Sequence, residues 1–148
     1  GMARSLRINP NSATALIHAG WLMIYTARPT EAIPLFERVR RLSPLHPQIG
    51  VATCGIGAAQ LTLGNDDAAL EALEQALAEY PEFATTRIQL IAVQSRLGNI
   101  AEAQRHADWL KRKVPHHTVS MQLEINQNRS PDWEGPMIAG LRATGFPE

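Results

Sequence analysis

Five histidines and a single cysteine are the residues of this chain that could ligate a metal, relay a proton or attack an electrophile. His116 and His117 form the one close pair. Neighbours on a helix point about 100° apart, so a shared metal site needs further ligands, and no cysteine or acidic cluster lies near them in sequence. His18, His46 and His106 are expected at the surface or in loops. Cys54 lies between Thr53 and Gly55, which supply no positive charge to activate a thiol, so it is expected as a small core residue. No glycine-rich phosphate loop, HExxH pair or strand-borne nucleophile is present. The basic triplets Arg38, Arg40, Arg41 and Lys111, Arg112, Lys113 have the charge to hold phosphate. Each falls in the last turn of an expected helix, where cations offset unpaired carbonyls by about 0.3–1 kcal/mol, and that structural use is the preferred reading. Neither an enzyme active site, a metal centre nor a cofactor is expected.

Composition sets the outer bounds. A chain of 148 residues suits one domain and can bury roughly 70% of its unfolded surface without staples. Fourteen basic residues balance fourteen acidic ones, so no net field draws the chain to nucleic acid or an anionic membrane. One cysteine excludes an internal disulfide framework, and the apolar runs fall short of the ~20 residues a membrane helix requires. A cytoplasmic location is the expectation. It leaves the glycosylation acceptor pattern Asn128-Arg129-Ser130 without consequence.

The elements that must position these side chains are written in a recurring seventeen-residue pattern: Arg28 to Pro44, Asn65 to Pro81 and Asn99 to Pro115. Aligned, they place alanine fifth (Ala32, Ala69, Ala103) and proline last. Before each lies a second helical stretch ending in Ala27, Gly64 or Gly98, so the unit is a helical hairpin. From Pro10 to Pro44 is 34 residues, from Pro44 to Pro81 is 37, and from Pro81 to Pro115 is 34. Asn11 and Ser12 can cap the first helix, in which Leu16, Ala19, Gly20 and Met23 recur at helical spacing. Pro29 suits the first position of the next helix, whose Ala32, Leu35, Phe36, Val39 and Leu42 form one apolar stripe. Pro34 lies deep enough to predict a bend, or a helix regular only after it. Asp66-Asp67 opens a helix with Leu70, Leu73, Ala76 and Leu77 on one face. Its partner contains Gly55 and Gly57, each costing ~1 kcal/mol of helix propensity, which points to another helix passing close by. The third hairpin has Ile91 where the first two have Gly20 and Gly57, which predicts a slightly wider pair.

Beyond Pro115 the pattern decays. A helix within His117 to Gln127 would bury Val119, Leu123 and Ile125, and Asp132 would cap a last helix through about Ala143. Met137 falls where the repeats carry alanine. Trp133, Met137, Ile138, Leu141 and Phe146 are expected to fold back over the third repeat as a terminal cap.

The period, the small residues and the closing prolines resemble the tetratricopeptide repeat. That likeness implies an all-α fold, a right-handed superhelical stack of antiparallel hairpins. The units would be residues 11–44, 48–81 and 82–115, preceded by the tail of a further repeat at 2–10 and followed by a degenerate hairpin at 116–148. Gly1-Met2 reads as a start residue behind an added glycine, so the expectation is a fragment cut from a longer parent. In that family the first helices line a concave groove, here Ile17, Trp21, Ile24, Tyr25, Val51, Cys54, Ala58, Leu61, Ile88, Ala92 and Arg96. The Lys, Asn and Arg set by which chaperone-binding relatives clamp a peptide carboxylate is not present. The implied partner is a protein or peptide laid in an apolar groove, which this chain's own tail or a second copy can equally fill, with Trp21 either an exposed anchor or packed inside.

A narrower likeness rests on Ser5 to Ala13, Arg28 to Pro47 and the closing Gly140-Leu141-Arg142-Ala143-Thr144-Gly145-Phe146-Pro147-Glu148. These stretches resemble the C-terminal repeat regions of alphaproteobacterial class III adenylate or guanylate cyclases and of winged-helix transcriptional regulators. The resemblance implies a regulatory or scaffolding part of a larger signalling protein. It also implies an alternative role, homodimerisation that brings two upstream effector domains together.

Overall fold

The computed structural model describes residues 12–148, which form helices joined by turns and short connections, with no strand among them. The expected repeat tail at 2–10 lies outside the described residues. Four hairpins follow in order: α1 (Ala13–Tyr25) with α2 (Pro29–Leu42), α3 (Ile49–Thr62) with α4 (Asp66–Glu79), α5 (Ala84–Arg96) with α6 (Ile100–Lys113), and α7 (Val119–Ile125) with α8 (Pro131–Ala143).

The turn inside each repeat is set by one left-handed residue, Ala27 at φ 63°, Gly64 at 80° and Gly98 at 82°. The next residue then donates back into the helix just ended: Arg28 N to Met23 O at 2.8 Å, Asn65 N to Gln60 O at 2.9 Å, and Asn99 N to Gln94 O at 2.8 Å. These are the six-to-one bonds of a Schellman stop, which free the chain to reverse. Ser12 caps α1 by accepting from the Ala15 amide at 3.3 Å.

Helices α1, α3 and α5 touch in sequence and form an inner layer; α2 and α4 each wedge between two inner helices, and α6 backs α5. The outer helices bury one stripe in identical register: Ala32, Phe36, Val39; Ala69, Leu73, Ala76; Ala103, Ala107, Leu110. Leu35, Leu70 and Leu77 flank these stripes half-buried, and Leu42 is 53% exposed. Leu42 lies ten residues past Ala32, which turns it about 80° off the stripe. The inner helices α3 and α5 are buried nearly all round, because each has an outer helix on either side.

Size complementarity sets the layer spacing. The Phe36 ring occupies the space left by two glycines: a Cβ added at Gly20 would lie 2.5 Å from it, and one at Gly55 2.2 Å. A Cβ on Gly57 would lie 2.4 Å from Leu73. In the third repeat the sizes are exchanged. Ile91 takes the glycine's place and Ala107 that of Phe36 and Leu73, both fully buried. The expected widening considered Ile91 alone; a small residue at the facing register position removes the reason for it. Helix α2 runs unbroken from Pro29 through Pro34, so the expected delay to regular helix does not occur. Pro34 is only its sixth residue, and the ring forfeits one bond near an end where amides are unpaired in any case.

The last hairpin departs from the expected cap. Helix α8 does lie on α5, yet it also extends along the inner face to α3, and at its start the Ser130 amide donates to the Tyr25 carbonyl of α1 at 2.9 Å. It is a strap across all three repeats. Its N-cap is Ser130, one residue before Pro131, and not Asp132. Gly140 lets it approach: a Cβ there would stand 3.0 Å from Ala92 Cα and 3.1 Å from Ala92 N. Helix α7 buries Val119, Gln122 and Asn126 while Leu123 and Ile125 are exposed, contrary to the apolar expectation. The amides face inward because they have partners there, His117 Nε2 at 2.9 Å from Gln122 Oε1 and Gln122 Nε2 donating to Asn126 Oδ1 at 3.3 Å. The chain end closes on this helix through Val119 N to Pro147 O at 2.8 Å.

Candidate functional site

Among the expected groove residues the structure separates three groups. Ile17, Trp21, Tyr25, Val51 and Ile88 line one cavity of about 510 Å³ on the inner face. Ile24, Cys54, Ala58 and Leu61 do not reach it; they are sealed between layers, each at 1% exposure or less. An inner helix flanked by two outer ones keeps only a narrow strip free, and the periodicity could not tell that strip from its neighbours. Ala92 lies under Gly140 of the strap. Arg96 is turned to the second hairpin, where Nε donates to Asp66 Oδ1 at 2.9 Å and Nη2 to the Leu61 carbonyl at 3.0 Å, so it braces a repeat junction.

The far wall of the cavity comes from the last hairpin, through Gln122, Ile125, Asn126, Arg129, Trp133 and Met137. The groove expectation omitted these residues, although Trp133, Met137 and Leu141 at helical spacing mark the face of α8 that seeks cover. Trp133 is the hinge of the arrangement. Its ring meets Trp21 at 6.1 Å and Tyr25 at 5.4 Å between centroids, and Trp21 in turn meets Phe36 edge-on at 5.9 Å. Trp21 is therefore packed, at 8% exposure, with one edge on the cavity. The indole of Trp133 donates to Gln89 Oε1 at 2.7 Å, and Gln89 Nε2 donates to the Cys54 carbonyl at 3.3 Å. All three side chains are buried, so this polar line pins strap, third repeat and second repeat together.

The charge of the cavity is one-sided. Among the described residues no acidic side chain lines it, and Arg129 is the wall's one permanent charge. Its guanidinium lies 3.8 Å above the Tyr25 ring. Burial raises the Tyr25 hydroxyl pKa from its usual value, against the opposing pull of Arg129.

His18, exposed as expected, stands on the lining of the cavity, while Cys54, His106 and the basic triplets are occupied elsewhere. Burial pushes the Cys54 thiol up to about 12, opposite to what a nucleophile needs. His106, expected at the surface, is half-buried with Nδ1 3.3 Å from Arg87 Nη1, and burial followed by the Arg87 charge lowers its pKa. No group of three or more His, Cys, Asp or Glu side chains among the described residues is placed to hold a metal. The basic triplets are dispersed: Arg40 pairs with Glu79 at 3.0 Å, Lys111 donates to the Thr144 carbonyl at 2.8 Å, and Lys113 meets Glu82 at 3.4 Å. No helix among the described residues is long and apolar enough to cross a membrane.

Residues 11–82 match the tetratricopeptide repeat family. No curated protein matches the sequence. The crystal structure of PilW, a widely conserved type IV pilus biogenesis factor, is similar to 96% of this chain with a TM-score of 0.69 at 19% identity. The match spans 62% of the PilW chain, and at that identity the likeness is one of fold. The chain is thus an all-α solenoid of the tetratricopeptide-repeat type, with family sequence over residues 11–82 and a C-terminal strap along its inner face.

Proposed function

We propose that this chain is a non-catalytic protein-interaction module that takes an apolar side chain of its partner into the inner-face cavity. The observation that carries the reading is the surviving opening itself: Leu22, Tyr25, Val51 and Ile125 present apolar surface beside α1, over the buried Ile17 and Ile88, and this is the larger of two openings that flank the strap among the described residues. Clefts of roughly 300–1,000 Å³ with mostly apolar walls are where proteins seat such groups. The test compares partners cross-linked in the native cell to wild type with those held by Ile17→Ala and Val51→Glu, after circular dichroism has shown the fold intact. Equal capture by all three would refute groove recognition.

A second reading is homodimerisation. Leu45, 95% exposed, and Leu42 beside it form an apolar edge at the end of α2 that a second copy could cover. Sedimentation of the longer parent chain decides it, since a monomer at working concentration would exclude the dimer. The resemblance of Ser5 to Ala13, Arg28 to Pro47 and Gly140 to Glu148 to the C-terminal regions of class III cyclases and winged-helix regulators supports a place downstream of such an effector domain, in the cytoplasm. The coding region upstream of Met2 tests the first point and cell fractionation the second. An upstream frame encoding neither a cyclase nor a DNA-binding domain would refute that placement.

A further inference from the structure

We propose that the cavity between the repeats and the strap is also a binding site for a small amphiphilic carboxylic acid, an apolar body carrying a single carboxylate. This goes beyond partner recognition and rests on geometry that the isolated chain possesses.

The strap decides the size of the ligand. With α8 lying on α5 and reaching α3, the inner face cannot take a run of extended peptide, and the space that remains is about 510 Å³, the scale of one small molecule. Its walls decide the body. Ile17, Val51, Ile88 and Met137 are aliphatic, and Trp21 and Trp133 add ring edges, so a chain or ring without polar atoms loses nothing by entering. Arg129 decides the head group. Among the described residues it is the only permanent charge on the wall, and no acidic side chain lines the cavity beside it. Its flat face is taken up by the Tyr25 ring at 3.8 Å, which fixes its orientation. The N–H edge of the fork makes no hydrogen bond or ion pair with any described residue, and that edge is what accepts a carboxylate bidentately. An anion with an apolar tail satisfies both halves of the site; a cation or a neutral alcohol satisfies only one. The acid and a partner's side chain would occupy the same volume, so the acid acts as a competitor.

The intrinsic fluorescence of the whole chain reports the outcome, because Trp21 and Trp133 border the cavity. Octanoate is expected to produce a saturable change with a Kd about tenfold below that of octan-1-ol, the size of one charge-assisted contact. Arg129→Gln is expected to erase that preference while leaving octan-1-ol binding unchanged, with only the small fall in melting temperature that loss of the stack on Tyr25 brings. Equal affinity for acid and alcohol, retention of the preference in Arg129→Gln, or no saturable response to octanoate would each overturn the proposal. So would tighter, Arg129-dependent binding of a pentapeptide with a free C-terminal phenylalanine, which would make a protein terminus the occupant. All arms use this protein alone, so they succeed or fail independently of whether any protein partner exists.

Discussion

The Phe36 ring held between Gly20 and Gly55 predicts a reversal of sign in a double-mutant cycle. A methyl group placed on Gly55 would stand 2.2 Å from Cζ and 2.4 Å from Cε2 of Phe36, more than 1 Å inside the ~3.5–4.0 Å at which carbon atoms touch. The ring has little room to swing away, because it also lies close against Gly20 on the other inner helix, where a Cβ would stand 2.5 Å from it. Gly55→Ala should therefore incur the upper range of an overpacking penalty, about 2–3 kcal/mol, set against a helix-propensity gain of about 1 kcal/mol. The net effect is a loss of about 1–2 kcal/mol. Phe36→Ala, at a fully buried site, should lose about 3–5 kcal/mol. In that background the clash has gone and only the propensity gain remains, so Gly55→Ala should now stabilise by about 1 kcal/mol. The coupling between the two sites is then about 2–3 kcal/mol. Urea unfolding followed by far-UV circular dichroism measures all four corners. Additivity within about 0.5 kcal/mol would show that ring and glycine do not set the distance between the first two hairpins.

The turn residues give a matched pair of opposite signs. Nothing stands within 4 Å of a Cβ built on Gly64 or Gly98, so Gly→Ala there should lose about 1 kcal/mol from left-handed backbone strain alone, while Ala27→Gly should gain a similar amount; melting temperatures moving the same way in both would contradict it. Cys54 should resist thiol reagents in the native state and react once the chain is unfolded. Its folded pKa of about 12 lies above the ordinary 9.0, so the folded state keeps a proton that the unfolded state releases; stability should fall as pH rises above about 9, and Cys54→Ala should flatten that decline. Trp133→Phe keeps an aromatic ring but removes the donor to Gln89, at about 1–3 kcal/mol, together with part of the buried indole's volume, and should speed hydrogen exchange across α8 by tenfold or more. Unchanged exchange would show that the polar line does not fasten the strap.

The repeat was legible because it is local. Ala32, Ala69 and Ala103 recur at the same place in each unit, and a hairpin buries its own stripe whatever lies further along the chain. Gly55 and Gly57 likewise betrayed close neighbours, since glycine inside a helix is otherwise a loss. What the sequence did not disclose depends on distant partners. Gln89 and Trp133 are 44 residues apart, and neither residue signals alone that an indole N–H will end on that amide. Gln122 and Asn126 turn inward at positions where hydrophobic periodicity favoured Leu123 and Ile125, because hydrogen-bonding capacity, which a pattern of apolar residues does not count, was available there. Cys54 is buried as its neighbours Thr53 and Gly55 led one to expect, whereas Ala58 could be placed on an inner helix but not assigned to its sealed side.

The strap changes what an open groove can do. In a bare stack the first helices offer a continuous strip, and affinity can be gathered residue by residue along an extended ligand. Here Gly140 is seated against the Ala92 backbone and Trp133 on Gln89, so part of that strip along the third repeat is already occupied by a helix of the same chain at fixed effective concentration. An incoming segment must either displace α8, against the burial of Trp133, Met137, Ile138 and Leu141, or confine itself to the opening beside α1. The second course requires far less disruption. Because that opening is walled by repeats on one side and by Arg129, Trp133 and Met137 on the other, whatever enters it touches both bodies and stabilises their contact. On the proposed reading, selectivity would therefore reside less in the repeats that are legible in the sequence than in the short hairpin where the pattern decays.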